Sequence, residues 1–332
     1  MHVALIGTGR IGAAHAEVVR DHPEVDRLLL ADAEPGRAAA LAEKLGVEHG
    51  TVDGVLAEAE AVVISAATPA HPRLIVAAAR RGLPVFCEKP IAADVVDSVR
   101  VVREVRAMGV PTQVGFQRRF DAGYVNAREA LQSGALGELR RVHALTCDQE
   151  PPPADYIPTS GGIFRDCHVH DFDILRWVTG REVTEVYAVG ANRGEACFAE
   201  SGDVDEAAAV LTLDDGTLVT LQGSRYNGGG HDVRMELAGT RATWVVGLDG
   251  HVPLVSAEED VDFPSDTPWP NFWGRWTAAY VAEMNAFVEL ALGRRRSACS
   301  LEDALEAFYV SEAASLSRSE HRPVTVAEVR AE

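Results

Sequence analysis

The stretch that decides the fold lies near the amino terminus, where the apolar run Val3–Ile6 (VALI) leads into Gly7–Gly12 (GTGRIG). The six residues match the pattern G-x-G-x-x-G, follow a predicted strand and open a helix predicted over Ile11–Arg20. A second apolar run, Leu28–Ala31, ends at Asp32, 20 residues after Gly12. An acid at that distance completes the fingerprint of a dinucleotide-binding strand–helix–strand unit, so the sequence predicts a Rossmann-type domain.

Each glycine of this motif has a physical task. Gly7 permits the tight turn, Gly9 lets the backbone approach a pyrophosphate, and Gly12 lets the helix pack closely on the strand. The N–H groups of the helix start then face the phosphates. The motif is completed by Thr8, Arg10 and Ile11. A glycine-rich turn that binds no nucleotide is the alternative.

The acid at position 32 selects between the two nicotinamide cofactors. Asp32 should accept hydrogen bonds from the ribose hydroxyls, and its negative charge opposes a 2′-phosphate. Its neighbours Ala31 and Ala33 offer no cation, which favours NAD over NADP. Arg37 lies further along the chain and could moderate that preference.

Two domains are predicted from the length of 332 residues and from a change in pattern near Phe120. Up to about residue 118, short apolar runs alternate with alanine-rich helical stretches, which is typical of a doubly wound parallel sheet. Longer segments of strand character follow, with the turn Asp214–Gly216 joining two of them. We expect an α/β protein with a Rossmann domain at 1–118. A substrate-binding and oligomerisation domain at 119–332 would be of α+β type, with a large, mostly antiparallel open sheet.

Composition excludes several classes of function. The formal net charge of −19 opposes binding to nucleic acid and to anionic membranes. No apolar run reaches the roughly 18 residues that span a bilayer, and no secretory signal is visible. The five cysteines are odd in number and form no CxxC pair, so we expect free thiols in the cytoplasm.

A lysine marks a second candidate site in Phe86–Pro90 (FCEKP). Lys89 follows a predicted strand at the carboxyl end, which is the ligand edge of an open α/β sheet. Its ammonium can hold a substrate hydroxyl and stabilise developing charge, and Glu88 beside it can tune that charge. A solvated surface lysine is the alternative.

The densest polar cluster is Gly161–Asp173 (GGIFRDCHVHDFD). A helix is predicted from about Gly162 to Thr179, on which Asp166, His170 and Asp173 share a face, whereas His168 points about 160° away from His170. A carboxylate one turn from an imidazole can orient it as a general base. A metal site and a buried structural Asp–His pair are the alternatives, and the divergent histidines disfavour the metal. We expect no bound metal.

Together these segments resemble the Gfo/Idh/MocA family of sugar and cyclitol dehydrogenases, and the resemblance covers nearly the whole chain. It rests on the glycine motif, the Glu-Lys-Pro tripeptide, Val114–Asp121 (VGFQRRFD) and the Asp-x-x-x-His segment. Within the family the chain is most similar to inositol 2-dehydrogenases. The resemblance implies NAD as cofactor, a homo-oligomer (dimer or tetramer) built through the C-terminal sheet, and a catalytic set of Lys89, Asp166 and His170.

The resemblance also implies the roles of further residues. His170 would remove the proton of a ring secondary hydroxyl, Asp166 would orient His170, and Lys89 would hydrogen-bond the reacting oxygen while NAD takes the hydride. The implied cofactor-binding residues beyond the glycine motif and Asp32 are Ala67, Thr68, His71, Glu88, Lys89, Gln117 and Arg118. The implied substrate-binding residues are Lys89, Arg118, Asp148, Asp166, His170 and His231. For Thr68 and His71, an ordinary loop and a helix-start histidine are the alternatives.

Some positions depart from the pattern of the inositol dehydrogenases. Thr146 and Asp148 stand where a histidine and an asparagine are expected, and His231 stands where a tyrosine is expected, after Gly228–Gly230. From the motifs and the resemblance together, we expect an NAD-dependent dehydrogenase that oxidises a cyclitol of the myo- or scyllo-inositol type to a ketone. A dehydrogenase of a pyranose or another polyol is the alternative in the same class. A non-catalytic nucleotide-binding sensor and a metal-dependent hydrolase are more distant alternatives.

Overall fold

The computed structural model describes residues 1–261, 263 and 265–330, which form two compact units. The first unit comprises Met1–Gln117 and Ala278–Leu305, and the second comprises Arg118–Thr277 and Glu306–Arg330. The domain division at residue 118 stays a prediction. The first unit differs from it by including a segment from the carboxyl-terminal part of the chain, which no local pattern in the sequence indicates.

The first 120 residues alternate between strands and helices. The elements are β1 His2–Ile6, α1 Arg10–Arg20, β2 Arg27–Ala31, α2 Pro35–Leu45, β3 Glu48–His49, α3 Val52–Glu58, β4 Ala61–Ile64, α4 His71–Ala79, β5 Val85–Glu88, α5 Val95–Met108 and β6 Thr112–Gly115. Short 3-10 helices occupy Thr68–Ala70 and Gln117–Phe120. The sequence pattern missed β3 and α3, because a two-residue strand and a seven-residue helix are too short to show a period.

The rest of the chain is richer in long strands. Its elements are α6 Ala122–Gln132, β7 Leu139–Cys147, α7 Ile157–Ser160, α8 Ile163–Asp166, α9 Val169–Thr179, β8 Val183–Ala191, α10 Ala196–Glu200, β9 Glu206–Leu213, β10 Leu218–Ser224, β11 Asp232–Gly239, β12 Thr243–Val246, α11 Phe272–Ala291, α12 Leu301–Glu320 and β13 Val324–Thr325. A 3-10 helix at Val326–Val329 follows.

The first unit is built on a six-stranded parallel sheet with the order β3-β2-β1-β4-β5-β6. Its central strands β1 and β4 are apolar and buried over Val3–Ile6 and Ala61–Ile64, as expected where helices cover both faces. The predicted doubly wound sheet is confirmed. The strand order reverses between β1 and β4, and that point is where open α/β sheets bind ligands.

The core of the first unit includes side chains that are distant in sequence. Val3 and Leu30 of the sheet share one buried cluster with Met284 and Phe287 of α11. Burying these large apolar side chains stabilises the unit by about 1.5–3 kcal/mol each. This packing explains why the second half of α11 belongs to the first unit.

The second unit is built on a seven-stranded sheet with the order β12-β11-β7-β10-β9-β8-β13. All neighbouring pairs are antiparallel except β7 and β10, which run parallel. The predicted mostly antiparallel sheet is therefore confirmed. Exposure alternates along β9 and β10, so one face of these strands is buried and the other is open.

The acid–histidine segment is not one continuous helix. Helix α8 ends at Asp166 and α9 begins at Val169, with Cys167 and His168 between them. The expectation that Asp166, His170 and Asp173 share one helical face is therefore wrong. The buried His168 side chain, at the break between the two helices, lies 2.8 Å from the Asp171 carboxylate in the first turn of α9.

Within the described part of the chain, none of the helices combines the length and the hydropathy needed to cross a bilayer.

Candidate active site

The glycine loop after β1 is shaped by close backbone packing. Gly7 has a φ of +99°, and a Cβ there would lie 2.4 Å from the Ala66 nitrogen. A Cβ on Gly12 would lie 1.9 Å from the Gly7 carbonyl oxygen. Both positions therefore exclude any side chain. By contrast, a Cβ on Gly9 would meet nothing within 4 Å, and no side chain caps α1 at this residue. The loop thus presents a helix start with open space before it, which fits a pyrophosphate.

The loop after β4 is hydrogen-bonded to the glycine loop. Ser65 donates from its backbone nitrogen to the Ile6 carbonyl at 2.9 Å and from Oγ to the Gly7 carbonyl at 2.8 Å. Ala67 is exposed and Thr68 is half-buried at the start of a 3-10 helix. The two loops adjoin where the strand order reverses, as a dinucleotide site in this fold requires.

Asp32 lies at the end of β2 with its carboxylate already oriented. Oδ2 accepts hydrogen bonds from the Thr8 nitrogen at 2.7 Å and from Thr8 Oγ1 at 2.9 Å, and Oδ1 accepts one from the Glu34 nitrogen at 2.9 Å. Burial alone would raise the pKa of Asp32, but these bonds and the charge of Arg37 at 3.9 Å hold the pKa below its ordinary value. The carboxylate is therefore ionised and fixed next to the glycine loop.

Lys89 follows β5 and precedes Pro90 across a cis peptide bond. Its neighbour Glu88 pairs with His15 of α1, with Oε1 2.6 Å from Nε2. His71 is buried, with its ring nitrogens 2.7 Å and 2.8 Å from the carbonyl oxygens of Pro90 and Ala66. Glu88 and His71, both assigned to the cofactor from sequence, thus have polar atoms occupied by other protein groups. Among the other assigned residues, Arg10 is exposed, Ile11 is half-buried and Gln117 is buried.

In the second unit, polar residues gather at one edge of the sheet. Asp148 follows β7 and Arg225 follows the parallel strand β10, so both lie at the same edge, and His231 precedes the antiparallel strand β11 there. His231 Nδ1 lies 3.2 Å from Asp148 Oδ1, and Arg225 Nη1 lies 3.5 Å from Asp148 Oδ2. Burial alone would raise the pKa of Asp148, but His231 and Arg225 lower it.

Asp166 joins this cluster from the end of α8. Its Oδ2 accepts from Arg225 Nη2 at 2.8 Å and its Oδ1 accepts from the Tyr156 hydroxyl at 3.0 Å. Burial and the neighbouring Asp166 raise the pKa of Tyr156, so the phenol remains a donor. His170 is half-buried in the first turn of α9, with its backbone nitrogen donating to the Cys167 carbonyl. The cluster supplies carboxylates, a guanidinium and a phenol, which suits a ligand rich in hydroxyl groups.

The resemblance places Arg118 beside cofactor and substrate, whereas the structure buries its guanidinium within the second unit. Nη1 donates to Asp171 Oδ1 at 2.5 Å and Nη2 donates to Thr146 Oγ1 at 3.1 Å. Thr146 also donates to Asp171, and His168 Nδ1 lies 2.8 Å from Asp171 Oδ2. Burial alone would raise the pKa of Asp171, but Arg118, His168 and Thr146 lower it to about 2. This cluster holds α9 against β7.

Asp173 forms a second buried ion pair. Arg119 donates to it from Nε at 2.9 Å and from Nη2 at 2.6 Å. Asp173 therefore anchors α9 to the 3-10 helix at Gln117–Phe120. Across residues 1–261, 263 and 265–330, no three His, Cys, Asp or Glu side chains group so as to hold a metal ion.

Sequence reasoning missed three polar residues of these sites, namely His15, Tyr156 and Arg225. Arg225 could have been found, because it follows a predicted strand in the same way as Asp148 does. His15 lies three residues after Gly12 on the cofactor helix. Nothing in the sequence links Tyr156 to Asp166, because the contact depends on how the proline-rich loop folds.

The fold and the glycine loop define a class, the oxidoreductases with an NAD-binding Rossmann domain. Residues 1–116 match the model described as "Oxidoreductase family, NAD-binding Rossmann fold", and residues 124–245 match the "GFO/IDH/MocA C-terminal domain". The chain belongs to the Gfo/Idh/MocA family of oxidoreductases.

Individual relatives extend this comparison over almost the whole chain. A myo-inositol dehydrogenase of Streptomyces leeuwenhoekii is 36% identical, with coverage of 88% of this chain and 89% of the relative. A myo-inositol 2-dehydrogenase of Thermotoga maritima is 33% identical, with 99% of both chains covered. The crystal structure of a scyllo-inositol dehydrogenase of Lactobacillus casei with bound NAD(H) and scyllo-inositol has a TM-score of 0.88 and 26% identity, covering 98% of this chain and 99% of that one.

Proposed function

We propose that the protein is an NAD-dependent dehydrogenase that oxidises a ring secondary hydroxyl of an inositol, of the myo or scyllo type, to a ketone. The observation that carries the proposal is the cluster at the edge of the second sheet, where Arg225 joins Asp148 and Asp166 beside His231. Fixed donors and acceptors of this kind bind a polyhydroxylated ring. The names of the relatives support the same substrate class.

The cofactor set proposed from the sequence fits NAD. Gly9 leaves open space before α1, and the ionised Asp32 is placed for ribose hydroxyls rather than for a phosphate. When bound, NAD supplies the hydride acceptor. Ala67 and Thr68 lie on the loop hydrogen-bonded to the glycine loop and would line the cofactor groove.

The reaction removes one proton and one hydride from the substrate carbinol. His170 accepts the hydroxyl proton as general base, and Asp166 orients His170 and balances the charge that forms. Lys89 hydrogen-bonds the reacting oxygen as it becomes a carbonyl. Asp148 and His231 bind ring hydroxyls away from the reacting carbon. Arg118 acts on the substrate side through the buried pair with Asp171, which holds α9 and therefore His170 in place.

The test is oxidation of inositols, pyranoses and aminocyclitols with NAD and NADP, followed by the absorbance of reduced nicotinamide. Lys89→Met and His170→Ala should each lower kcat by roughly 10²-fold or more, with NAD affinity within a few-fold. Lys44→Met is a matched control, because Lys44 and Lys89 are the two lysines of the sequence and Lys44 is exposed on α2. The rate of oxidation should rise with pH as His170 loses its proton. Full activity of His170→Ala would contradict the role of His170 as general base.

A pyranose or another polyol is the second candidate substrate. The Thr146 hydroxyl donates a hydrogen bond to the buried Asp171. The resemblance to inositol dehydrogenases predicts a neutral asparagine at position 148, where this protein has the charged Asp148. Both changes alter how ring hydroxyls are bound. A higher kcat/KM for a pyranose than for every inositol in the same assay would favour this candidate.

A homo-oligomer through the second sheet is also part of the proposal. The open face of that sheet carries Tyr187, Val189, Val210 and Leu218, each more than two-fifths exposed. Such a patch is typical of an interface. Val210→Asp combined with Tyr187→Asp should lower the mass measured by light scattering to that of a monomer. Val96→Asp, on the exposed side of α5, should leave it unchanged. A location in the cytoplasm is proposed because none of the five cysteines forms a disulfide, and thiols persist in reducing compartments.

A further inference from the structure

We propose that two buried histidines, His15 and His71, are positioning residues that hold Lys89 in place from its two sides. The inference rests on the proposed function, which gives Lys89 the hydrogen bond to the reacting oxygen. One histidine contacts the residue before Lys89 and the other contacts the residue after it. All the residues involved lie in the first unit.

On the amino-terminal side, His15 fixes Glu88. His15 is 1% exposed, and its Nε2 lies 2.6 Å from Glu88 Oε1. The other oxygen of Glu88 faces Gly115 on the neighbouring strand β6, where a Cβ would come within 2.8 Å of it. The carboxylate is therefore confined between α1 and β6, and the backbone at the end of β5 is confined with it.

The His15 ring has apolar surroundings apart from its contact with Glu88. Its ring packs edge-on against Phe86 and Tyr280, with centroid distances of 5.4 Å and 5.9 Å. Its Nδ1 is buried and has no hydrogen-bond partner among the described residues. Burying a polar atom without a partner costs folding free energy, so an apolar side chain would be more stable at position 15 if it only had to fill space. The polar contact that justifies an imidazole here is the one with Glu88.

On the carboxyl-terminal side, His71 fixes Pro90. His71 is also 1% exposed, with Nδ1 2.7 Å from the Pro90 carbonyl oxygen and Nε2 2.8 Å from the Ala66 carbonyl oxygen. Carbonyl oxygens only accept hydrogen bonds, so His71 donates to at least one of the two carbonyls, and its ring lies between the two loops. The segment after Lys89 is thereby attached to the loop after β4, which carries Ala67 and Thr68.

The two histidines come from the helices that follow β1 and β4, the strands on either side of the point where the sheet order reverses. The same helices and loops form the proposed cofactor site. Lys89 is therefore held relative to the groups that bind the cofactor. A displacement of about 1 Å in a catalytic group can lower a rate by roughly 10²-fold, so the effect should appear in kcat more than in NAD affinity.

The experiment measures kcat and NAD affinity for His15→Leu and His71→Leu, alone and combined with Lys89→Met. Each single change should lower kcat roughly 10-fold or more while the Kd for NAD, from fluorescence titration, stays within about threefold. In the combined variants kcat should equal that of Lys89→Met alone, because a misplaced lysine and a missing lysine lose the same interaction. His15→Gln keeps an amide donor toward Glu88 and should recover most of kcat. His22→Leu, a half-buried histidine just after α1, is the matched control and should have no effect.

Three results would overturn the inference. The first is that the fold-reduction in kcat of a combined variant equals the product of the reductions of its two single changes, which would mean that the histidines act independently of Lys89. The second is a fall in NAD affinity as large as the fall in kcat. The third is normal kcat in both single variants. If the leucine variants do not fold, His15→Met and His71→Met, which also remove the ring nitrogens but have a flexible side chain, provide the same cycle with Lys89→Met. Full kcat in Lys89→Met alone is a different outcome, because it overturns the proposed function itself.

Discussion

Arg225 donates a hydrogen bond from Nη2 to Asp166 Oδ2 over 2.8 Å, and this pair organises the sheet-edge cluster of the second unit. The Arg225 side chain is 3% exposed, while that of Asp148, 3.5 Å from the same guanidinium, is 26% exposed. One buried cation therefore compensates two acids, of which one faces solvent. Without it, the two carboxylates would repel each other where the substrate is proposed to bind.

Replacement of Arg225 should test this arrangement. Arg225→Met leaves both acids without their cation and should cost about 3–5 kcal/mol of unfolding free energy, because breaking a buried pair strands a charge. The unfolding free energy of Arg225→Lys should lie between those of the native protein and Arg225→Met, since lysine restores the charge without the planar guanidinium. Urea unfolding at pH 7 measures the loss. Arg181→Met, which removes a half-exposed arginine beside Asp215, should change stability by less than about 1 kcal/mol. Equal losses in the two variants would contradict the proposed importance of the buried pair.

Two glycines of the cofactor loop should respond to alanine in opposite ways. Gly12→Ala places a methyl group 1.9 Å from the Gly7 carbonyl and should destabilise the fold by about 1–3 kcal/mol. Gly9→Ala meets open space at a φ of −68° and should leave the melting temperature unchanged or slightly raised. Its methyl would obstruct the approach of a pyrophosphate, so NAD affinity should fall at least 10-fold, as measured by fluorescence titration. Unchanged NAD affinity in Gly9→Ala would remove this loop from the cofactor site.

The fold was largely accessible from the sequence, since buried parallel strands are short continuous apolar runs and their helices have a clear period. The helix Pro35–Leu45 and the strand Ala61–Ile64 occur as predicted. What failed depended on side-chain contacts that show no period in the sequence, one of them local and one between distant residues. The break at Cys167 and His168 accompanies a pairing with Asp171, and the inclusion of Phe287 in the first unit reflects burial against strands almost 300 residues away.

The site was accessible only in part, for a similar reason. The glycine loop and Asp32 follow a local spacing, so the sequence contains them. Spacing on a continuous helix placed Asp173 beside His170, yet Asp173 pairs with Arg119 because two buried charges stabilise each other across the unit. Local spacing does not indicate Arg225, because its role depends on strand order, which places β10 beside β7 although about 70 residues separate them in the chain.

The pair between Arg118 and Asp171 should make stability depend on pH in acid. The pKa of Asp171 is about 2 in the folded protein against an ordinary value of 3.8. Its contribution of about 2 kcal/mol is therefore present above about pH 4 and is lost as the pH falls through about 2. Asp171→Asn should be less stable at pH 7 by about 3–5 kcal/mol, because Arg118 is left buried without its anion.

Unfolding of the native protein and of Asp171→Asn by urea at several pH values from 7 to 3 measures this dependence. The difference in stability between them should be constant above about pH 5 and shrink below pH 4. Asp53→Asn, at a fully solvated acid on α3, is the control and should match the native protein throughout. A stability difference that stays constant down to pH 3 would show that Asp171 is not held ionised by Arg118.

Asp32 should determine the choice between NAD and NADP. Its carboxylate is fixed by Thr8 and Glu34, so it can accept from the ribose hydroxyls without reorganisation. Asp32→Ala removes hydrogen bonds to a charged acceptor, worth about 1.5–3 kcal/mol, and should weaken NAD roughly 10- to 100-fold. The affinity for NADP should fall less than that for NAD, or should rise. Arg37, 3.9 Å from Asp32, would no longer face that carboxylate and could pair with a 2′-phosphate. Thr8→Val, which frees the carboxylate from one donor, should shift the ratio of the two affinities in the same direction by a smaller factor. Titration of both cofactors against the native protein measures the ratio, and an unchanged NAD affinity in Asp32→Ala would place the ribose elsewhere.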